Sequence, residues 1–308
     1  ENKRAKIVFT RKTDSVVFQH DGIPFTHKTI EALIMQTSSK QATNAVQVGQ
    51  YGTGFLTTHL FGLSFKLTAP LLTSEEFQRY YKIDGFETDR SPNDNEEMKN
   101  NLKAQWKETQ DWGNDLSETT DKPYEHTIFC YESKGEQAKL NAEEAFKAAP
   151  DMTPYVMTLN GNVESIEFVD EVEGTRVKFV SETSDSIFVD ELADGNVFKH
   201  IVKRTTTKDG KECVNDYCVY LIISKDMTED DNPRSKLIVM LPIVEDADGS
   251  MRVIRFIHGL PLIYIHLPLL GTESWGFNFM LHSSLFTCDK DSRDSLRLVG
   301  NGQNNDYQ

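Results

Sequence analysis

The sequence is poor in cysteine and lacks long apolar runs, and each shortage argues against a class of function. Its four cysteines, Cys130, Cys213, Cys218 and Cys288, form no paired CxxC modules, which disfavours a zinc site and favours reduced thiols. The most apolar stretches, residues 237–244 and 260–270, are too short to cross a bilayer. The first residues do not resemble a signal peptide. We therefore predict a cytoplasmic protein without a membrane partner.

Basic residues are also scarce, and this shortage bears on the choice of partner. Lys and Arg together number 33 against 48 Asp and Glu, which gives a net charge of -15. A chain this acidic repels phosphate backbones unless it carries a local basic patch, and the sequence contains none. Nucleic acid is therefore not an expected partner.

The length and the periodicity of the sequence predict two domains rich in both helices and strands. A chain of 308 residues suggests two domains rather than one. Residues 5–10 and 15–19 predict a hairpin, and Thr26 is a candidate N-cap for a short helix. Strand patterns dominate from about residue 155. The remaining predictions are helices over 75–81, 96–112 and 134–150, a loop over 84–95, and hairpin turns at 208–211 and 246–250.

A glycine-rich segment, VGQYGTGFLTTHLFG at residues 48–62, precedes a helix-like run. It matches neither the Walker A pattern nor the GxGxxG fingerprint. Gly49, Gly52 and Gly54 can nevertheless adopt positive φ and let backbone N–H groups approach an anion. A helix beginning near Phe55 would direct its free N–H groups to the same point. Taken alone, this glycine box predicts either a tight turn or a phosphate site.

Three segments in order, VFQHDGIPFT, TSSK and the glycine box, resemble the GHKL superfamily of ATPases. That superfamily contains DNA gyrase, the ninety-kilodalton heat-shock chaperones, histidine kinases and MutL. Residues 267–296 resemble the segment that follows the ATPase module in sacsin-like proteins, which makes the sacsin-like and chaperone-type members the nearest. The resemblance implies an α/β fold, a two-layer Bergerat-type sandwich with a mixed sheet over residues 1–135, its helices on one face. A second, strand-rich α/β domain, transducer-like, is then expected over residues 136–308.

The same resemblance implies a function and a set of binding residues. It implies an ATP-binding module in which the nucleotide orders a lid between residues 36 and 50 and moves the second domain. His20, Asp21, Gly22 and Thr127 are implied at the adenine. Lys40, Gly49, Gln50, Tyr51, Gly52, Thr53, Gly54 and Phe55 are implied at the phosphates. Arg293 of the second domain is implied as a catalytic contact to the γ-phosphate, with Arg297 second.

Several of these residues have equally simple structural interpretations. HDG is a common turn sequence, Thr127 suits a core strand, and Lys40 suits a solvated surface. Arg293 lies among Asp289, Asp291 and Asp294, which also predicts surface salt bridges.

The sequence departs from the superfamily pattern in its first box and at its start. His20 stands where an Asp accepts the adenine amino group, and Pro24 replaces a glycine. Either Asp21 or a ring nitrogen of neutral His20 is then the expected acceptor. The helix that supplies a water-activating Glu and the Mg²⁺-ligating Asn has no counterpart, so we expect it before Glu1 in a longer parent.

These departures leave the catalytic status of the chain open. ATP and Mg²⁺ are the expected cofactors, hydrolysis is expected only in the parent, and this chain alone is expected to be inactive. An unidentified protein client and a nucleotide-dependent dimer are the expected partners. The alternatives are a non-catalytic scaffold that keeps the fold and a phosphotransferase resembling histidine kinases. The lack of a phospho-accepting His on a helical hairpin counts against the latter.

Overall fold

The computed structural model of the chain describes residues 4–35, 58–92, 94–182, 186–193, 195–226, 236–257, 259–265, 267–269 and 271–283. Its helices are α1 (His27–Ile34), α2 (Asn95–Thr109) and α3 (Glu136–Leu159). Its first strands are β1 (Ala5–Arg11), β2 (Ser15–His20), β3 (Ser64–Ser74), β4 (Arg79–Asp89), β5 (Thr119–Thr120), β6 (Thr127–Glu132), β7 (Val163–Asp170) and β8 (Thr175–Ser181). The later strands are β9 (Ile187–Leu192), β10 (Gly195–Lys208), β11 (Lys211–Asp226), β12 (Lys236–Glu245), β13 (Met251–Val253), β14 (Ile263–Ile265), β15 (Leu267–Pro268) and β16 (Met280–Ser283).

The expected Bergerat-type α/β sandwich is wrong. The described chain is strand-rich, with sixteen strands in mixed pairing and three α-helices. Part of the error lies between residues 75 and 95, where a helix and a loop were expected. The structure has a tight turn at 75–78, closed by Gln78 at φ 48°, followed by the eleven-residue strand β4. Ile83, Phe86 and Thr88 of β4 are buried, but the polar residues between them conceal this inward face in the sequence.

Several local predictions are confirmed. The first hairpin is formed by β1 and β2, which pair antiparallel. Thr26 caps α1, because its side chain accepts the Thr29 N–H while the Thr29 side chain accepts the Thr26 N–H in a reciprocal capping box. The predicted turn at 208–211 joins β10 to β11, with Asp209 and Gly210 both at positive φ.

The chain divides into two compact units. The first contains residues 1–149, 165–178 and 206–213, and the second contains residues 150–164, 179–205 and 214–308. The domain boundary predicted at residue 135 is not tested by this division and stays a prediction.

The first unit is built on strands in the spatial order β7-β1-β2-β6-β3-β4-β5. The pairs from β1 to β5 along this order are antiparallel. Its core joins α1 to three strands and is aromatic and aliphatic: Ile30, Ile34, Phe65, Leu67, Ala69, Leu71, Ile83, Phe86, Trp112, Phe129 and Tyr131. A fully buried Leu or Ile contributes about 1.5–3 kcal/mol, so this cluster is the main support of α1.

The second unit has its own strand pairing and core. Strand β12 pairs antiparallel with β11, β13 and β16, whereas β14 runs parallel to β16. The core is rich in tyrosine and methionine: Tyr155, Tyr220, Met240, Phe256, Leu260, Leu262, Tyr264 and Met280.

Candidate functional site

The HDG turn of residues 20–22 follows the end of β2 in the first unit. His20 is the last residue of β2 and lies opposite Thr127, the first residue of β6, in the antiparallel register. On its other side His20 lies opposite Ile7 of β1. Thr127 is buried, with 2% of its surface exposed. The strand register therefore brings together two segments that are more than a hundred positions apart in the sequence.

The His20 ring is oriented by the glycine that follows it. The backbone N–H of Gly22 donates to Nδ1 of His20 at 3.1 Å. A backbone N–H can only donate, so Nδ1 must accept, and the ring proton of neutral His20 is on Nε2. A Cβ at position 22 would lie 3.1 Å from the same Nδ1, so a glycine suits this close approach.

The His20 ring is also held in its neutral form. Burial lowers the pKa of His20, the nearby Asp21 carboxylate raises it, and His126 lowers it further, with a net decrease. The ring lies 5.5 Å from Phe18 in a tilted arrangement. At neutral pH His20 therefore presents one accepting nitrogen, already used by Gly22, and one donating nitrogen.

Asp21 contacts the neighbouring strand through both its side chain and its backbone. Its Oδ1 accepts the Lys6 N–H at 2.6 Å, and its own N–H donates to the Lys6 carbonyl at 3.3 Å. A charge-assisted hydrogen bond of this length from a backbone N–H to a carboxylate stabilises the attachment of the turn to β1. This contact supports a structural role for Asp21 beside the one that the sequence predicts.

The residues after the turn are attached to β3. The Phe25 N–H donates to the Pro70 carbonyl at 2.9 Å, and the Phe25 carbonyl accepts the Leu72 N–H at 2.7 Å. Phe25 and Leu71 thereby form an isolated parallel bridge. Between the turn and this bridge, the Ile23 side chain is 89% exposed. The HDG turn and Phe25 are thus both attached to neighbouring strands, while Ile23 between them is exposed.

A second polar cluster, which the sequence did not predict, contains Arg90, His59 and the Leu33 carbonyl. Arg90 is 4% exposed and donates from Nη2 to the Leu33 carbonyl at 2.6 Å. Its Nη1 lies 2.9 Å from Nε2 of His59, and its guanidinium lies 5.7 Å from the Phe65 ring centroid. Burial lowers the pKa of Arg90 to about 10, so the group remains charged at neutral pH. Arg90 therefore connects the last turn of α1 with His59, which lies in the described last part of the glycine box.

His59 takes the opposite tautomer to His20. An arginine only donates, so Nε2 of His59 accepts and its ring proton is on Nδ1. Burial lowers the pKa of His59, and the positive charge of Arg90 lowers it further. No sequence signal marked Arg90, because it follows a polar strand and precedes SPND like many loop arginines.

The other predicted site residues cannot be located in the same way. Lys40, Gly49, Gln50, Tyr51, Gly52, Thr53, Gly54, Phe55, Arg293 and Arg297 lie outside the described residues. Of the predicted base-binding residues, His20, Asp21, Gly22 and Thr127 are described, and the structure brings all four to one end of the β2–β6 pair.

Within the described ranges, no group of three or more His, Cys, Asp or Glu side chains is arranged to hold a metal ion. None of the described helices combines the length and apolar character needed to span a bilayer. No protein-family model and no curated protein matches the chain.

Proposed function

We propose that this chain is a nucleotide-binding module that takes a purine nucleoside triphosphate, with ATP as the ligand that the resemblance implies. The observation that supports the proposal most is the meeting of His20 and Thr127 at the ends of paired strands. Both were assigned to the base from separate segments of the sequence. The half-buried His20 ring and the side-chain-free Gly22 provide a polar edge at which a base can lie, beside the exposed Ile23.

The phosphate end of the proposed site is the glycine box. Arg90 bonds to Leu33, which precedes the proposed lid, and to His59, which lies in the described last part of the glycine box. A chain segment whose two flanks share one buried side chain has less conformational freedom to lose when a ligand orders it. This connection supports a nucleotide-ordered segment between residues 36 and 50.

We propose binding without hydrolysis for this chain. The described residues provide no carboxylate cluster for Mg²⁺, and the carboxylate of Asp21 at the HDG turn already accepts the Lys6 N–H. Movement of the second domain on nucleotide binding and a nucleotide-dependent dimer belong to the same proposal. The identity of the protein client is not part of it.

The second candidate is a non-catalytic scaffold or interaction protein without nucleotide-driven movement. The attachment of Phe25 to β3 favours it, because two backbone hydrogen bonds fix the residues directly after the turn. A pinned turn is also what a purely structural HDG sequence would produce.

The experiment that separates the two is calorimetric titration of the full chain with ATP, ADP and tripolyphosphate, repeated on Gly54→Val. If the glycine box receives the phosphates, Gly54→Val blocks the approach of the anion, and binding is lost while the melting temperature stays near wild type. If the box is only a tight turn, a β-branched residue at positive φ strains the backbone by about 1–3 kcal/mol and lowers the melting temperature.

Gly249→Val is the matched control. Gly249 has φ 83° in the exposed turn between β12 and β13, with no atom near its would-be Cβ. The control should lower the melting temperature through backbone strain and leave nucleotide affinity unchanged. Absence of binding by the wild-type chain to all three ligands would leave the scaffold as the better account.

A further inference from the structure

We infer that the base end of this site prefers a purine with a keto group at position 6, as in hypoxanthine and guanine, over adenine. This inference rests on the proposed function, since it concerns the ligand of the same site. It follows from which hydrogen-bonding group the HDG turn offers to a base.

The turn offers a donor where an adenine site needs an acceptor. The Gly22 N–H occupies Nδ1 of His20, so the only remaining polar atom of the neutral ring is the Nε2–H donor. Adenine carries an amino group at position 6, which also donates. Two donors that face each other leave both hydrogen bonds unmade, and that costs affinity when water is excluded.

A keto purine matches the same proton. Its O6 accepts, so the Nε2–H of His20 can donate to it without any change in the turn. Among the described residues the His20 ring has no hydrogen-bond partner other than the Gly22 N–H, and its Nε2 is not fully buried. The donor is therefore available to a ligand.

One oxygen of the neighbouring Asp21 carboxylate is engaged away from this position. Oδ1 of Asp21 accepts the Lys6 N–H at 2.6 Å, which directs this oxygen toward β1. A change of the His20 ring to the other tautomer would place an N–H on Nδ1 directly against the Gly22 N–H. The backbone hydrogen bond thus determines the tautomer of His20, and the tautomer determines which group at position 6 of the purine is favoured.

The test compares three triphosphates that differ at position 6 of the purine, and at N1, which is protonated in the keto base, by calorimetric titration of the full chain. They are ATP with an amino group, ITP with a keto group, and purine riboside triphosphate with neither. We expect ITP to bind about tenfold more tightly than the other two, the typical value of one matched hydrogen bond. ATP and purine riboside triphosphate could instead bind with equal affinity, both more tightly than ITP. That result would mean that the Nε2–H of His20 donates to N1 of the base, and it would overturn the inference.

His20→Asp provides the reversal. A carboxylate only accepts at neutral pH, so this variant should lose the preference for ITP and favour ATP. His27→Gln is the matched control, since His27 is an exposed histidine at the start of α1, and it should keep the wild-type order. If His20→Asp fails to fold, nitrogen NMR of the wild-type chain reads the tautomer directly. A proton on Nδ1 of His20 in that spectrum would overturn the inference without any ligand.

The outcomes separate this inference from the proposed function. Failure of all three triphosphates to bind contradicts the proposed function. Binding of all three with ATP equal to or tighter than ITP keeps the proposed function and contradicts the preference for a keto purine.

Discussion

His20 and His59 lie in two regions of the first unit, the HDG turn and the Arg90 cluster, and their rings have different hydrogen-bond partners. Both rings are neutral at pH 7, because burial lowers the pKa of each. His20 accepts a backbone N–H at Nδ1, whereas His59 accepts a guanidinium N–H at Nε2. The two rings therefore carry their protons on opposite nitrogens.

The difference follows from what each histidine contacts. At the HDG turn the partner is a backbone donor two residues away, so His20 keeps a donating nitrogen for a ligand. In the Arg90 cluster the partner is a buried charge 31 positions away, so His59 helps to hold the chain. The donor that each ring accepts therefore decides which of its two nitrogens carries the proton. Helix α1 separates the two regions, with its capped start near the turn and its end against Arg90.

The largest expected effect is on the Arg90 cluster, through Arg90→Met. The substitution leaves the Leu33 carbonyl and Nε2 of His59 without the donor that satisfies them inside the protein. We expect a loss of about 2–4 kcal/mol in the free energy of unfolding, typical of a broken buried polar network. Urea unfolding followed by tryptophan fluorescence measures it, since Trp106 and Trp112 lie in or against the core of the same unit.

Arg79→Met is the control for that experiment. Arg79 also donates to backbone carbonyls, those of Leu116 and Thr119, but it is only partly buried and sits at the β4–β5 edge. Arg79→Met should lower the free energy of unfolding by about 1 kcal/mol or less. Equal losses for the two variants would mean that the burial of Arg90 confers no special role.

A smaller effect is expected at the other end of α1, through Thr26→Ala. The substitution removes the side-chain oxygen that accepts the Thr29 N–H, and loss of an N-cap costs about 1 kcal/mol. Because the cap lies between the HDG turn and α1, the change should also loosen residues 20–25 in hydrogen exchange while leaving His59 protected. Ser at the same position keeps an acceptor and should restore most of the stability. Faster hydrogen exchange at His59 as well as at residues 20–25 would show that the two regions respond together.

The sequence predicted the HDG turn better than the Arg90 cluster, and the reason is physical. A turn is determined by nearby residues, so HDG, the hairpin before it and the Thr26 cap could all be predicted from local chemistry. The pairing of His20 with Thr127 depends on register across β2 and β6, which only the resemblance implied. Arg90 contacts Leu33, which is 57 positions away in the sequence, and His59, which is 31 positions away. No local sequence pattern specifies partners at such distances. The α/β sandwich was wrong because the inward face of β4 is hidden among charged residues.

The smallest expected effect is a dependence of stability on pH that both histidines contribute. The folded chain keeps both rings neutral at pH values where a free histidine, with a pKa of about 6.5, already binds a proton. The unfolded state therefore binds more protons as the pH falls below about 6.5, and the free energy of unfolding decreases in that direction. The contribution is fully present above pH 6.5 and is lost as the pH falls toward the lowered pKa of each folded ring.

Urea midpoints between pH 5.5 and 8 measure this pH dependence above the range in which most carboxylates titrate. His20→Gln and His59→Gln should each flatten the dependence, because burial lowers the pKa of both rings. His27→Gln should leave the slope unchanged, and a slope that survives both His20→Gln and His59→Gln would assign the pH dependence to other groups.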